Sequence, residues 1–235
     1  EQYVECTHEY WRSNGKFVPN IVLRLASGGY IGGGLYHSQN IEGALATLPG
    51  ARIVCPSFAD DAAGLLRTAM RSRGFTLYLE PKALYNSVEA SSVVPEEFEV
   101  PFGKARIRRE GTDLSMITYG NTTHFCLNVA ERLAQEGWSV EVIDLRSLIP
   151  LDKETIYASV KKTSKALVVH EDKVFSGFGA EIAAGIGTEL FRYLDAPVQR
   201  VGSVFTPVGF HPILEKAILP TEDKIYDAAR TLLEY

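Results

Sequence analysis

The chain is short of cysteine, of long apolar runs and of positive charge, and each shortage closes off a class of function. Its three cysteines, Cys6, Cys55 and Cys126, are odd in number and far apart, which fits reduced, buried thiols rather than a disulfide framework or a metal cage. No stretch approaches the roughly 18 to 20 apolar residues that cross a bilayer, so no membrane partner is expected. Lys and Arg total 24 against 29 Asp and Glu, a formal net charge of −5, and the basic footprint of a nucleic-acid-binding protein is missing. No nucleic-acid partner is expected either. The opening EQYVECTHEYWRSNGK has no basic segment followed by an apolar one, as a secretory leader would. It lacks an initiator methionine and reads as a helix already under way, which raises the expectation of a processed or cut piece. The expected location is cytoplasmic, or an organelle matrix in a eukaryote.

What is present is a chain of 235 residues, 46% of them hydrophobic, enough for one large or two ordinary domains. Short β-branched runs recur at 20–26, 51–56, 75–80, 113–120, 140–145, 166–170 and 197–202. Helical patterns fall between most of them. In 57–72, Ser57 and Asp60 have capping-box spacing, followed by Ala62, Leu65, Leu66, Ala69 and Met70 at helical intervals. Residues 122–138 place Phe125, Val129 and Leu133 on one face with Gly137 as a stop. Further helices are expected at 153–163, 178–194 and 222–233. Nearly continuous apolar strands alternating with helices predict an α/β fold with mostly parallel sheets covered on both faces. Between Pro81 and Gly111 the pattern lapses into a Pro- and acid-containing stretch, so 86–111 reads as a linker between units 1–85 and 112–235. Residues 103–235, with their own strands and helices, are expected to fold alone.

The most unusual stretch is GGYIGGGLYHSQN, residues 28–40, with five glycines in its first seven positions. Glycines in such number are tolerated where backbone must turn tightly or approach something closely. No Gly-Lys-Ser/Thr follows, so this is not a P-loop, and no long helix or suitably spaced acid follows, so it is not a dinucleotide fingerprint. His37 brings the side chain best suited to proton transfer near neutral pH. From the residues alone, a surface turn and a catalytic loop both stay open. His170, Glu171 and Asp172 sit at the carboxyl end of a buried strand, where open α/β sheets bind ligands; a structural histidine capping the strand is the favoured reading of His170. Gly177 and Gly179 precede a helix and read either as an anion cradle or as close helix-to-sheet packing.

Several stretches together resemble one family, the β subunit or β half of the thiamine diphosphate-dependent 2-oxoacid dehydrogenases. They are GGLYHSQNIEG, LPGARIVCPSFADDAAGLL, LYLEPKALY, VIDLRSLIPLDKETI, VVHED, GFGAEIAA and DAPVQRVG, in the family's order across essentially the whole chain. The resemblance implies the rear part of a pyrimidine-binding domain followed by a transketolase C-terminal domain. It implies decarboxylation of a 2-oxo acid, of the 2-oxoisovalerate type or pyruvate, with the acyl group passed to a lipoyl acyltransferase. His37 is carried over as the catalytic residue, with Gly33, Gly34, Tyr36, Ser38 and Gln39 along the channel. Tyr36 replaces a Gln of some relatives and leans the reading toward branched-chain substrates.

Thiamine diphosphate and magnesium are implied for the complete enzyme and none for this chain alone, because the ring-activating glutamate and the ring-stacking aromatic precede Glu1 in the family and the α half holds the diphosphate. A potassium site of some relatives aligns with Val22 and Gly74, which lack side-chain oxygens, so that ion is not expected. Implied partners are an α subunit or α half, a second copy of the chain, and the subunit-binding domain of the acyltransferase, steered by acids such as Glu222, Asp223, Asp227 and Glu234. Two other functions compete: a non-catalytic dimerisation or docking fragment, and a transketolase or deoxyxylulose phosphate synthase relative.

Overall fold

A computed structural model describes residues 1–235. Helix α1 (Gln2–Arg12) leads into strand β1 (Ile21–Ser27); short helices α2 (Gly34–His37) and α3 (Glu42–Ala46) follow. Strand β2 (Ala51–Val54), helix α4 (Ala59–Arg71) and strand β3 (Phe75–Pro81) complete the first unit's regular elements. The second sheet draws on β4 (Arg106–Arg109), β5 (Leu114–Thr118), β6 (Val140–Asp144), β8 (Ala166–Lys173) and β9 (Gln199–Ser203). Its helices are α5 (Thr122–Ala134), α6 (Lys153–Thr163), α7 (Gly179–Glu189), α8 (Pro212–Ile218) and α9 (Glu222–Leu233). Strand β7 (Ser147–Ile149) crosses over to the first sheet.

The sheet orders are β1-β3-β2-β7 and β4-β6-β5-β8-β9. Every pairing is parallel except β2 with β7 and β4 with β6, which are antiparallel. The α/β class with mostly parallel sheets is thus as the strand pattern predicts. The interval 86–111, read as a linker, holds β4, and β7 binds a first-sheet strand from within the second half.

Side chains alternate along each strand, so single strands serve two cores. Ile53, Leu77 and Leu79 of the first sheet meet Ile117, Ile143 and Val168 of the second, together with Ile156 and Val160 of α6 and Ile182 and Ile186 of α7. Their neighbours in the same strands face away. Val54 and Tyr78 pack on Leu65 of α4; Met116, Val142, Leu167 and Val169 pack on Cys126, Val129 and Leu133 of α5 and Ile225 and Leu232 of α9. Buried on both faces, these strands are largely apolar, which is why they stand out in the sequence.

Two local expectations give way to different arrangements. Ser57 does not cap α4, whose N-cap is Phe58 with no side-chain bond; the Ser57 hydroxyl instead donates to Asp144 Oδ1 at 2.9 Å and lies 2.9 Å from the Thr123 hydroxyl. His170 lies inside β8 and is fully buried, rather than ending the strand.

Candidate active site

Parallel strands β1 and β8 both release their chains at the edge where open α/β sheets gather ligands. The loop 28–43 leaves β1 there and passes over the end of β8. Its base closes on itself, Gly28 N–H donating to the Gln39 carbonyl at 3.0 Å. Positive φ values occur at Gly28 (82°), Gly32 (64°) and Gly34 (61°), and at Tyr30 (62°). Left-handed backbone of this kind favours glycine. Tyr30 is held there from both sides: its hydroxyl donates to the Pro220 carbonyl at 2.8 Å and its ring meets Phe125 edge-on at 5.4 Å.

Close approach explains the glycines further. A Cβ on Gly28 would lie 2.5 Å from Glu171 Oε1, and one on Gly33 would lie 2.9 Å from the His37 carbonyl. The turn carries His37 at the end of α2, exposed, beside Tyr36, which is 86% exposed. Gln39 is also exposed, while Ser38 is fully buried and its Oγ has no partner. Of the expected site residues, then, His37, Tyr36 and Gln39 project outward, Gly33 and Gly34 shape the turn, and Ser38 points in.

Behind the loop lies a group of buried acids: Glu171 and Asp172, which the sequence places beside His170, and Glu42, which it does not single out. Glu42 of α3 is 1% exposed; its Oε1 accepts from the Tyr119 hydroxyl at 3.0 Å and its Oε2 has no partner. Glu171 and Asp172 end β8 and are also buried. Burial, and next the charge of Asp172, push the Glu42 carboxyl up to about 7. Burial pushes Glu171 up to about 7 against the pull of the Gly29 N–H, Lys82 and Lys173. Asp172 is raised for the same first reason. Two consecutive acids closing an apolar strand were the available signal, since buried carboxylates require partners.

His170 takes no part in this polar group. Neither ring nitrogen has a partner, and burial together with the charge of Arg200 pushes the imidazole down to about 4. Its ring sits among glycines: a Cβ on Gly179 would lie 2.2 Å from His170 Cδ2, and one on Gly202 3.1 Å from Cε1. Gly177 is equally constrained, its Cβ falling 2.1 Å from the Lys173 carbonyl. Packing, not an anion, accounts for the glycines before α7.

No group of three or more His, Cys, Asp or Glu side chains is placed to hold a metal ion. A cavity of about 430 Å³ opens between α4 and the end of β3, lined by Phe58, Ala62, Leu66, Tyr78 and Leu84, and no residue of the 28–43 loop lines it. No helix is long and apolar enough to cross a membrane.

Two family descriptions match the chain: "Transketolase, pyrimidine binding domain" over residues 9–88 and "Transketolase, C-terminal domain" over residues 103–225. Over 226 residues the chain is 40% identical to the 2-oxoisovalerate dehydrogenase subunit beta of Bacillus subtilis, covering 96% of this chain and 69% of that one. It is 39% identical over 225 residues to the pyruvate dehydrogenase E1 component subunit beta of the same organism, with the same coverage. A mitochondrial pyruvate dehydrogenase E1 component subunit beta-1 of Arabidopsis thaliana is 40% identical over 222 residues, 94% of this chain and 61% of that one. Among solved structures, a split-gene transketolase described as an inactive beta4 tetramer superposes with a TM-score of 0.72 at 22% identity, covering 99% of this chain and 74% of that one. That last likeness is one of fold.

Proposed function

The chain belongs to the β subunits of the thiamine diphosphate-dependent 2-oxoacid dehydrogenases, and we propose that it contributes the acid–base side of a decarboxylating site completed by an α subunit, with His37 as its catalytic residue. The observation that carries this reading is the presentation of His37. It stands exposed on a single helical turn, built on glycines and set over the carboxyl end of a buried parallel strand. An imidazole presented in this way is open to a substrate and can serve it as a general acid or base.

Thiamine diphosphate, when bound, supplies the carbanion chemistry that releases carbon dioxide from a 2-oxo acid. The residues here do not by themselves fit the diphosphate and its magnesium: no three His, Cys, Asp or Glu side chains gather to hold a metal, and the carboxylates near the loop are buried while His37 is exposed. We assign those parts to the α subunit and expect no cofactor on this chain alone. The work of this chain is to orient the substrate and to move a proton at the reacting oxygen or at the lipoyl sulfur, through His37. Tyr36 and Gln39 line the channel beside it, Gly33 and Gly34 bring backbone close, and Ser38 supports the turn from below. Tyr36 favours a branched substrate, so 2-oxoisovalerate ranks ahead of pyruvate. A second copy of the chain and the acyltransferase's subunit-binding domain complete the partners, the latter steered by exposed acids of α9 such as Glu222, Asp223 and Asp227.

In the enzyme assembled with its α subunit, His37→Ala should lower turnover to a lipoyl acceptor by about 10²–10⁴-fold, the usual worth of a positioned acid or base. Cofactor affinity should hold, and kcat/KM should be higher for 2-oxoisovalerate than for pyruvate. Turnover near that of the wild type would reduce the loop to a structural turn.

A further inference from the structure

The last residues of β8 reach the His37 loop at three points. Glu171 Oε1 accepts from Gly29 N–H at 2.5 Å, and Asp172 Oδ2 accepts from Gly43 N–H at 3.3 Å. Lys173 Nζ donates to Gln39 Oε1 at 3.1 Å. Gly29 and Gly43 lie at the two ends of the segment that holds His37, so the carboxylates grip it on both sides. The fit is reciprocal, because a Cβ facing either carboxylate would break it: on Gly28 it would lie 2.5 Å from Glu171 Oε1, on Gly43 2.7 Å from Asp172 Oδ2. Packing alone does not call for acids at these positions. Glu171 and Asp172 are only 6% and 5% exposed, and a carboxylate so buried costs several kcal/mol unless its bonds offset the loss of water. An apolar pair would fill the end of β8 without that cost and would leave the loop unanchored.

We propose that Glu171 and Asp172 are positioning residues of this active site, which fix His37 by anchoring the two ends of its loop through the Gly29 and Gly43 N–H groups. The proposal rests on the reading of His37 as the catalytic residue. Neither carboxylate touches substrate; each acts through the backbone it holds. Misplacement of a catalytic group by an ångström costs on the order of 10²-fold in rate, and a glycine-rich turn released at one end has the freedom to move that far.

The test uses the enzyme assembled with its α subunit and reads two quantities, turnover with a 2-oxo acid and hydrogen exchange of peptides covering 28–43. Glu171→Ala should speed exchange there while leaving peptides covering α5 unchanged, and should lower kcat by about 10²-fold with cofactor affinity intact. Glu171→Gln keeps an oxygen for the Gly29 N–H and should retain most of the turnover. Asp172→Ala repeats the experiment at the other anchor, and decides the matter if Glu171→Ala fails to fold. Unchanged loop exchange in both alanine variants overturns the proposal, as does an equal loss of turnover in Glu171→Gln and Glu171→Ala. His37→Ala, measured alongside, separates the two readings. If it keeps full turnover, the catalytic reading fails whatever the loop does. If it loses turnover while Glu171→Ala loosens the loop at no cost in rate, the positioning proposal alone fails.

Discussion

Glu42 is buried with one oxygen on the Tyr119 hydroxyl and the other without a partner, facing Asp172 and Glu171 across the base of the loop. Its carboxyl rises from an ordinary 4.5 to about 7, so between those values the folded protein keeps a proton that the unfolded chain has released. The stability this gives is complete below about pH 4.5 and is lost as pH rises toward 7, at up to about 1.4 kcal/mol per pH unit. Glu171 acts in the same sense. His170 acts in the opposite sense: its fall from 6.5 to about 4 costs stability as pH drops through that window. Glu42→Gln removes the first penalty. Relative to wild type, its melting temperature should therefore climb from about pH 5 to pH 7 and level off above. A pH-independent difference would mean that Glu42 ionises freely. In the sequence, His37 could be singled out because an imidazole following a run of glycines is chemically suggestive. Glu42 could not, since nothing local to it says that Tyr119, 77 positions away, will close over it.

At the scale of elements, α7 offers a contrast between two glycines. Gly179 faces the His170 ring, and a Cβ there would lie 2.2 Å from Cδ2 and 2.3 Å from Nε2. Gly187, near the other end of the helix, has nothing within 4 Å of its would-be Cβ. Gly179→Ala should thus destabilise by about 1–3 kcal/mol or more through overpacking, whereas Gly187→Ala should stabilise by up to about 1 kcal/mol through helix propensity. Chemical denaturation of the two variants measures both signs, and equal effects would show the His170 contact to be soft. Long elements were legible because their faces repeat: α5, α6 and α9 lie where periodicity places them. The short ones were not. β7 has three residues, and α2 and α3 have four and five, too few for a period to declare itself. β4, with sequence RIRR, carries arginines where a strand is expected to be apolar; Arg108 and Arg109 bond to Asp144 and Glu131 instead.

For the whole molecule, the question is whether the two units stand apart. The composition between Pro81 and Gly111 suggests that they do, and that residues 103–235 fold alone. The structure joins them three ways. β7 pairs with β2, the central core takes side chains from both sheets, and Asp61 of α4 lies at the heart of a buried ionic group. Asp61 Oδ1 accepts from Arg146 Nη1 at 2.8 Å, and its Oδ2 from Arg108, which also bonds Asp144 at 2.7 Å. Asp61 is fully buried, so losing it leaves Arg146 with no carboxylate partner and Arg108 with Asp144 alone. Breaking a buried pair in this way costs about 3–5 kcal/mol, and Asp61→Ala should lose stability of that order. The shared core carries a second expectation, that both units unfold together. Trp11 reports on the first unit and Trp138 on the second, and they are the chain's only tryptophans. Variants keeping one or the other should therefore give coincident fluorescence transitions in denaturant. Excised residues 103–235 would leave β7 without β2 and uncover Ile117, Ile143 and Val168, and should lack a cooperative transition. Separated midpoints for the two tryptophans, or a sharp transition in the excised half, would show that the units hold their folds independently and that the ionic group only docks them.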